Sequence, residues 1–367
     1  MVRDSLFFLV FVSPILGYSV TLEPAFTNGT VLVEQVSIPG NLDGAKTTVS
    51  VNTTTSEFWY FDSQAAVPGN DAAVEVVFFN FPELGTPQPL AVQITGAFPN
   101  GTRFHKTAFA NDGASIINDE NGIRATWKGA DASFVGTSLD QPNVTYKIDI
   151  NSTEANVFGT LTLRSRAPAH YPCALNVPGV SEALVPNLYW ANAIPDAISD
   201  INLTVDGTQV QYSNGIGYHD KNWADKSIVH SHKFWDWGHA TFGPYSIVWF
   251  AVTEKDNTLS PHAYVAKYGH PIHVACGEYS VQIRQWGGEA AYPPTTGLND
   301  IDGLSIRYTM ANGQVLVANV TKTAIVLDEI VHQRANGMVE GGIEGSGEEY
   351  DGYAHFEEYI IGLYEIM

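Results

Sequence analysis

The sequence predicts an all-β chain of two domains, and three observations predict it. β-Branched and aromatic runs recur along the 367 residues, 12% of the chain is aromatic, and 33 Gly with 19 Pro punctuate the runs. A hydrophobic share of 44% is enough to build cores, which excludes a disordered chain. No helical stripe longer than three turns and no constant short repeat is present, which argues against a bundle, a propeller or a solenoid.

Residues 1–19 read as a secretory leader: the charged start Met1-Val2-Arg3-Asp4, the apolar run from Ser5 to Leu16, then small residues around Gly17 and Ser19. The run is too short to span a bilayer comfortably, and a buried first strand is the alternative reading. Strands are predicted at Thr47 to Asn52, Ala73 to Phe79, Leu90 to Ile94, Tyr146 to Ile150, Val157 to Leu163 and Ile201 to Val205. Asn100-Gly101, Asp206-Gly207 and Asn312-Gly313 mark hairpins. Arg164 to Pro186 is rich in Pro and small residues and divides the chain into domains at 20–185 and 186–367. VEGGIEGSGEEYDGY reads as an exposed acidic loop before a last strand, HFEEYIIGLYEI.

Asp and Glu number 39 against 18 Lys and Arg, and the net charge of -21 repels phosphates and anionic lipid, which excludes a nucleic-acid partner. Sequons at Asn28, Asn52, Asn100, Asn143, Asn151, Asn202 and Asn319, together with the leader, point to the secretory pathway and secretion. Cys173 and Cys276 are the only cysteines: either one disulfide in an oxidising lumen or two buried thiols, and too few for a Cys-based zinc or redox centre.

The informative span is residues 215–240, GIGYHDKNWADKSIVHSHKFWDWGHA. In a strand, Tyr218, Asp220 and Asn222 face one way and His219, Lys221 and Trp223 the other, while Trp235 and Trp237 share a face. His230, His232 and His239 invite a metal reading, but without a His-Glu-x-x-His helix they read as structural histidines, and neither metal nor other cofactor is assigned. In SEFWYFDS, Glu57, Trp59, Phe61 and Ser63 alternate against Phe58, Tyr60 and Asp62. Glu57 is then either a desolvated carboxylate or a solvated group on an edge strand. Nucleophile elbow, phosphate loop and dinucleotide fingerprint are all missing.

At GYHDKNW and WDWGHA, preceded by SEFWYFD and LYWANAIPDA, the chain resembles a family of two-domain lipocalin-like proteins that includes carotenoid hydratases and fungal Diels-Alderases. Ala224 stands where that family commonly has Gly, and Lys221 where a second His is frequent, which counts against hydratase chemistry more than against the fold. The resemblance implies an N-terminal β-sandwich-like domain packed on a C-terminal lipocalin-like β-barrel, with the ligand between them. The leader and sequons make the chain look most like the hetero-Diels-Alderases of tropolonic sesquiterpene pathways. The implied reaction joins a tropolone-derived quinone methide to a humulene-type sesquiterpene without a cofactor.

Such a reaction requires small hydrophobic terpenoid or polyketide substrates held in a near-attack pose, which can supply an effective molarity on the order of 10⁵ M. Trp59, Asn80, Trp190, Trp223, Trp235 and Trp237 are expected to shape the pocket, and Glu57, Tyr189, His219, Asp220 and Asn222 to do its polar chemistry. Competing readings are a terpenoid hydratase or dehydratase with Asp220 as acid, a decalin-forming Diels-Alderase, and a secreted lipocalin-like carrier. Exposed β-edges are compatible with a homodimer.

Overall fold

The computed structural model describes residues 17–82, 86–228, 232–292 and 300–360, and every regular element among them is a strand. The first sheet begins with β1 (Tyr18–Leu22), β2 (Ser56–Gln64), β3 (Ala73–Asn80), β4 (Leu90–Ala97) and β5 (Arg103–Phe109). It continues with β6 (Ala114–Asp119), β7 (Gly122–Trp127), β8 (Ala132–Thr137), β9 (Thr145–Ser152) and β10 (Val157–Ser165). After the short β11 (His170–Tyr171), β12 (Ala174–Leu175) and β13 (Ala183–Val185) come the long β14 (Leu188–Val205) and β15 (Thr208–Ala224). The order β1-β6-β7-β8-β9-β10-β14-β15-β2-β3-β4-β5 wraps this sheet around a core of Trp59, Phe61, Phe78, Trp127, Phe134 and Tyr146.

The second sheet holds β16 (His232–Phe242), β17 (Tyr245–Glu254), β18 (Leu259–Lys267), β19 (His270–Cys276) and β20 (Val281–Trp286). It is completed by β21 (Gly303–Thr309), β22 (Val315–Asp328), β23 (His332–Ile343) and β24 (Tyr350–Ile360). These pair in the order β19-β18-β17-β16-β24-β23-β22-β21-β20 and curl into a nearly closed lipocalin-like barrel around Trp249, Leu304, Ile306, Tyr308 and Phe356. A third apolar cluster, with Tyr60, Trp190, Tyr218, Trp235, Trp237 and Phe250, lies where the two sheets meet.

The chain is therefore all-β, as predicted, and most predicted strands stand. Asp206 and Gly207, at φ 50 and 80, make the two-residue turn between β14 and β15, both in the left-handed region that such a turn requires. Thr47 to Asn52 is not a strand. Its backbone bonds go elsewhere: Val51 N donates to Asn80 Oδ1 at 3.0 Å, and Val51 O accepts from Thr27 N. The change of sheet falls between Ala224 and His232, beyond the expected division at 185/186, because the LYW run opens β14 of the first sheet. The acidic loop is shorter than expected, since Val339–Ile343 belongs to β23 and Tyr350 already to β24.

The expected leader lies outside the described residues up to Leu16, while Tyr18 and Ser19 belong to β1, paired with Asn118 and Ile117. The sequon residues Asn28, Asn100, Asn143, Asn151, Asn202 and Asn319 are exposed. Asn52 is half-buried, and its Nδ2 donates to Gly29 O at 2.8 Å. Cys173 and Cys276 form a disulfide, with Cα atoms 5.3 Å apart, that ties the segment between β11 and β12 to the end of β19. Cys173→Ser in an oxidised preparation is expected to cost about 2–4 kcal/mol, read as a lower urea midpoint, with wild type in reductant moving to the same value.

Candidate functional site

A cavity of about 430 Å³ opens between the sheets, and strand alternation decides its lining. From β2 come Phe58 and Tyr60, from β3 Val77 and Phe79, from β15 Asp220 and Asn222. The second sheet contributes Trp235 and Trp237 from β16, Phe250 from β17, Arg334 from β23, and Glu357 and Tyr359 from β24. Phe81, Ile228 and His332 add to the wall. The size suits a compact drug-sized guest, and the rings supply large apolar area with few rotatable bonds.

Asp220 is the acid of this cavity. Its Oδ2 accepts from Trp190 Nε1 at 2.7 Å and from the Tyr218 hydroxyl at 2.8 Å, and Trp237 Nε1 donates to that hydroxyl at 3.2 Å. Burial pushes its carboxyl up to about 7, against the opposing pull of those two donors. Near neutral pH the group is thus present in part as the carboxylic acid, held in one orientation by an indole and a phenol. Nearby, Asn222 Nδ2, the Tyr60 hydroxyl and Ser56 Oγ are buried, line the cavity and have no partner. Unsatisfied buried polar atoms in a cavity are what a guest with acceptor and donor atoms would complete.

The second sheet answers with a paired charge cluster. Arg334 donates through Nε to Glu357 and through Nη1 to Glu75 Oε2 at 2.9 Å, and its guanidinium lies 4.7 Å from the Tyr60 ring centroid. Trp235 Nε1 donates to Glu357 Oε1, and His332 Nε2 lies 3.0 Å from Glu357 Oε2. Burial alone would raise Glu357, but Arg334 and His332 outweigh it and hold the carboxyl far below the usual range. Glu75 is likewise held down at about 2, burial being outweighed by Arg334 and His355. These ions are consumed by one another across the sheet interface, so the cluster fixes the cavity wall.

Of the expected site residues, Asp220, Asn222, Trp235 and Trp237 meet at the cavity, and Trp190 stands behind Asp220 as its donor. The others point away from it, into the wrapped first sheet. Glu57 is buried rather than solvated, and accepts from Lys221 Nζ at 2.6 Å and from Thr47 Oγ1 at 2.7 Å. Trp59 lies 3.4 Å beneath Lys221 and donates to Asp43 O. His219 stacks on Phe61 at 3.8 Å between ring centroids and lies 3.0 Å from Asp43 Oδ2. Trp223 donates to Glu34 O at 2.7 Å and stacks with Tyr189, whose hydroxyl reaches Asp225, and Asn80 holds Val51 and Thr47. The reason is the alternation itself: these residues occupy the opposite face of β2, β3, β14 and β15 from Phe58, Tyr60, Phe79, Trp190 and Asp220.

The histidine triplet does not assemble among the described residues. His230 lies outside them, His239 is turned to Asp62 at 3.1 Å, and burial pushes His232 down to about 4. One grouping with metal-ligand spacing exists there, Cys173, His262 and Cys276, but its two sulfurs are bonded to each other and offer no thiolate. Sequence reasoning missed Tyr60, Arg334, Glu357 and the Phe79, Phe81 and Phe250 walls. The one local signal was Arg334, a lone cation inside a strand.

The chain is 37% identical over 340 residues to the quinolone epoxide rearrangement protein asqO of Emericella nidulans, covering 91% of both chains. It is 27% identical over 233 residues to the Diels-Alderase ffsF of Aspergillus flavipes, covering 60% of this chain and 54% of that one. Among solved structures it superposes on CghA, crystallised with Sch210972, with a TM-score of 0.76 at 16% identity, covering 94% of this chain and 99% of that one. Relatives named as Diels-Alderases support an enzyme of pericyclase-like activity. A family model described as Diels-Alderase-like matches residues 23–283, and since that is most of its length the chain belongs to the Diels-Alderase-like family.

Proposed function

We propose that the chain isomerises a small hydrophobic epoxide in the inter-sheet cavity, with Asp220 as the proton donor. The observation that carries this reading is the Asp220 carboxyl, buried in an aromatic cavity, pushed up to about 7 and aimed by Trp190 and Tyr218. Its similarity to a quinolone epoxide rearrangement protein supports the same substrate class. Asp220 gives its proton to the epoxide oxygen as a carbon–oxygen bond breaks. Positive charge develops on carbon beside the faces of Trp237, Tyr60 and Phe58, which favour a cation. A migrating group or a hydroxyl of the same molecule then satisfies the carbon, and a proton returns to Asp220. Atoms balance within one molecule, so the step needs no cofactor. Asn222 and Tyr60 offer the unpartnered donors that would hold a carbonyl of the substrate.

The second reading is cycloaddition, in its narrower form the hetero-Diels-Alder joining of a quinone methide to a humulene-type sesquiterpene. The aromatic wall favours it, and Asp220 and Asn222 would then polarise an oxygen of the diene or dienophile without completing a proton transfer. The disulfide and the exposed sequons support passage through an oxidising secretory compartment.

Incubation with aryl-substituted epoxides in labelled water tests the first reading. The expected product has the mass of the substrate and carries no labelled oxygen. Labelled oxygen in the product would establish a hydratase, a product of summed mass from two substrates a cycloaddition, and binding without turnover a carrier.

A further inference from the structure

The alternation that turns Trp235 and Trp237 toward the inter-sheet cavity turns Asp236 the other way, into the lumen of the second barrel. There it lines a separate cavity of about 220 Å³, floored by Ala251, Leu259, Val281 and Ile283 and flanked by Thr253, Asn257 and Tyr292. Asp236 is 7% exposed, and its Oδ1 has no partner. Directly across the ladder stands Glu358, also buried, whose carboxylate accepts from Gln285. Burial, then the facing Glu358, push Asp236 well above the usual carboxylate range, and burial pushes Glu358 up to about 7.

Nothing in the reaction proposed for the inter-sheet cavity uses this pair. A buried carboxyl with an unpartnered oxygen is costly to keep, and here it faces open space above an apolar floor. Of the cations around the cavity, Lys233 donates to Asn257, Arg284 lies 3.5 Å over the Tyr292 ring, and Lys322 acts on Glu358 while reaching Asp300, so none is hydrogen-bonded to Asp236 Oδ1. A bare divalent ion would want about six or more oxygen ligands, more than the lining supplies from Asp236, Thr253 and Asn257, whose Oδ1 already accepts from Lys233.

The geometry points to a second binding site in the barrel lumen, for a small organic ammonium whose charge pairs with Asp236 and whose hydrocarbon body rests on Leu259, Val281 and Ile283. Glu358 supports the charge from behind. The site is independent of Asp220 and of the reaction proposed above.

Calorimetric titration of the full chain with benzylammonium and with its neutral analogue benzyl alcohol tests this. At about pH 8 the ammonium is expected to bind at least about tenfold more tightly than the alcohol, and the advantage is expected to be smaller at about pH 5, because burial raises both carboxyls and acid favours their neutral forms. Asp236→Asn is expected to abolish the preference while leaving alcohol binding in place. Equal affinities in the wild-type chain at both pH values, or a preference that survives Asp236→Asn, overturns the proposal. Calcium binding that displaces the ammonium overturns its organic character. If Asp236→Asn does not fold, the pH dependence of the wild-type chain decides alone.

Discussion

Asp220→Asn is expected to lower kcat by roughly 100-fold or more, the contribution of a positioned general acid, while the fold is retained. An amide oxygen can accept the hydrogen bonds of Trp190 and Tyr218 that Oδ2 now accepts, so the cavity keeps its shape. The pH dependence carries a sign that a structural role would not reproduce. With the carboxyl at about 7 in the folded chain, activity that requires the protonated acid is full below that value and falls as pH rises through it. Stability runs the same way: an acid raised on folding penalises the folded state progressively as pH climbs from the ordinary carboxylate value to about 7. Asp220→Asn removes that penalty, so its Tm at alkaline pH should equal or exceed that of wild type. A fall in Tm with unchanged turnover per folded molecule would make Asp220 a structural residue and end the proton-donor reading.

The largest loss of stability is expected from Arg334→Met. It removes the cation that Glu75 and Glu357 share at the sheet interface and leaves two buried carboxyls without it. Breaking a buried pair on one side costs about 3–5 kcal/mol, or a fall in Tm of roughly 4–7 °C for a chain of this size. Glu75 is depressed to about 2 in the native chain, so its contribution is present above the ordinary carboxylate value and is lost as pH falls toward 2. The gap in Tm between wild type and Arg334→Met should therefore narrow below about pH 4.5. A gap that stays constant with pH would place the loss in packing against Tyr60 and not in charge.

The strands were legible because their signal is local. Alternation in GYHDKNW and SEFWYFDS placed Asp220 and Asn222 opposite His219 and Trp223, and Phe58 and Tyr60 opposite Glu57 and Trp59, and both divisions hold. Alternation cannot say which face meets a cavity and which meets a core. Trp59, Trp223, Glu57 and His219 carry the residue types of a site, but their face lies inside the wrapped sheet, where Asp43, Lys46 and Lys221 satisfy them. The partners of Arg334 and Glu357 were illegible for a different reason. Both residues join Tyr60 only through packing of β23 and β24 against the first sheet, across more than 270 residues of chain, and short-range pattern contains no trace of that contact. Thr47 to Asn52 has the composition of a strand and became coil because Asn80 and Glu57 compete for its polar groups.

The dividing strands β2 and β15 have a consequence for how relatives of this chain can acquire new chemistry. Their rear side is bolted by buried ion pairs and indoles, so rigidity does not depend on what is displayed in front. Exchanges at Phe58, Tyr60 or Asn222 can then redraw the shape offered to a visitor while the scaffold remains as firm as before. Selection is free to explore substrates at a few forward positions, with little risk of unfolding at each trial.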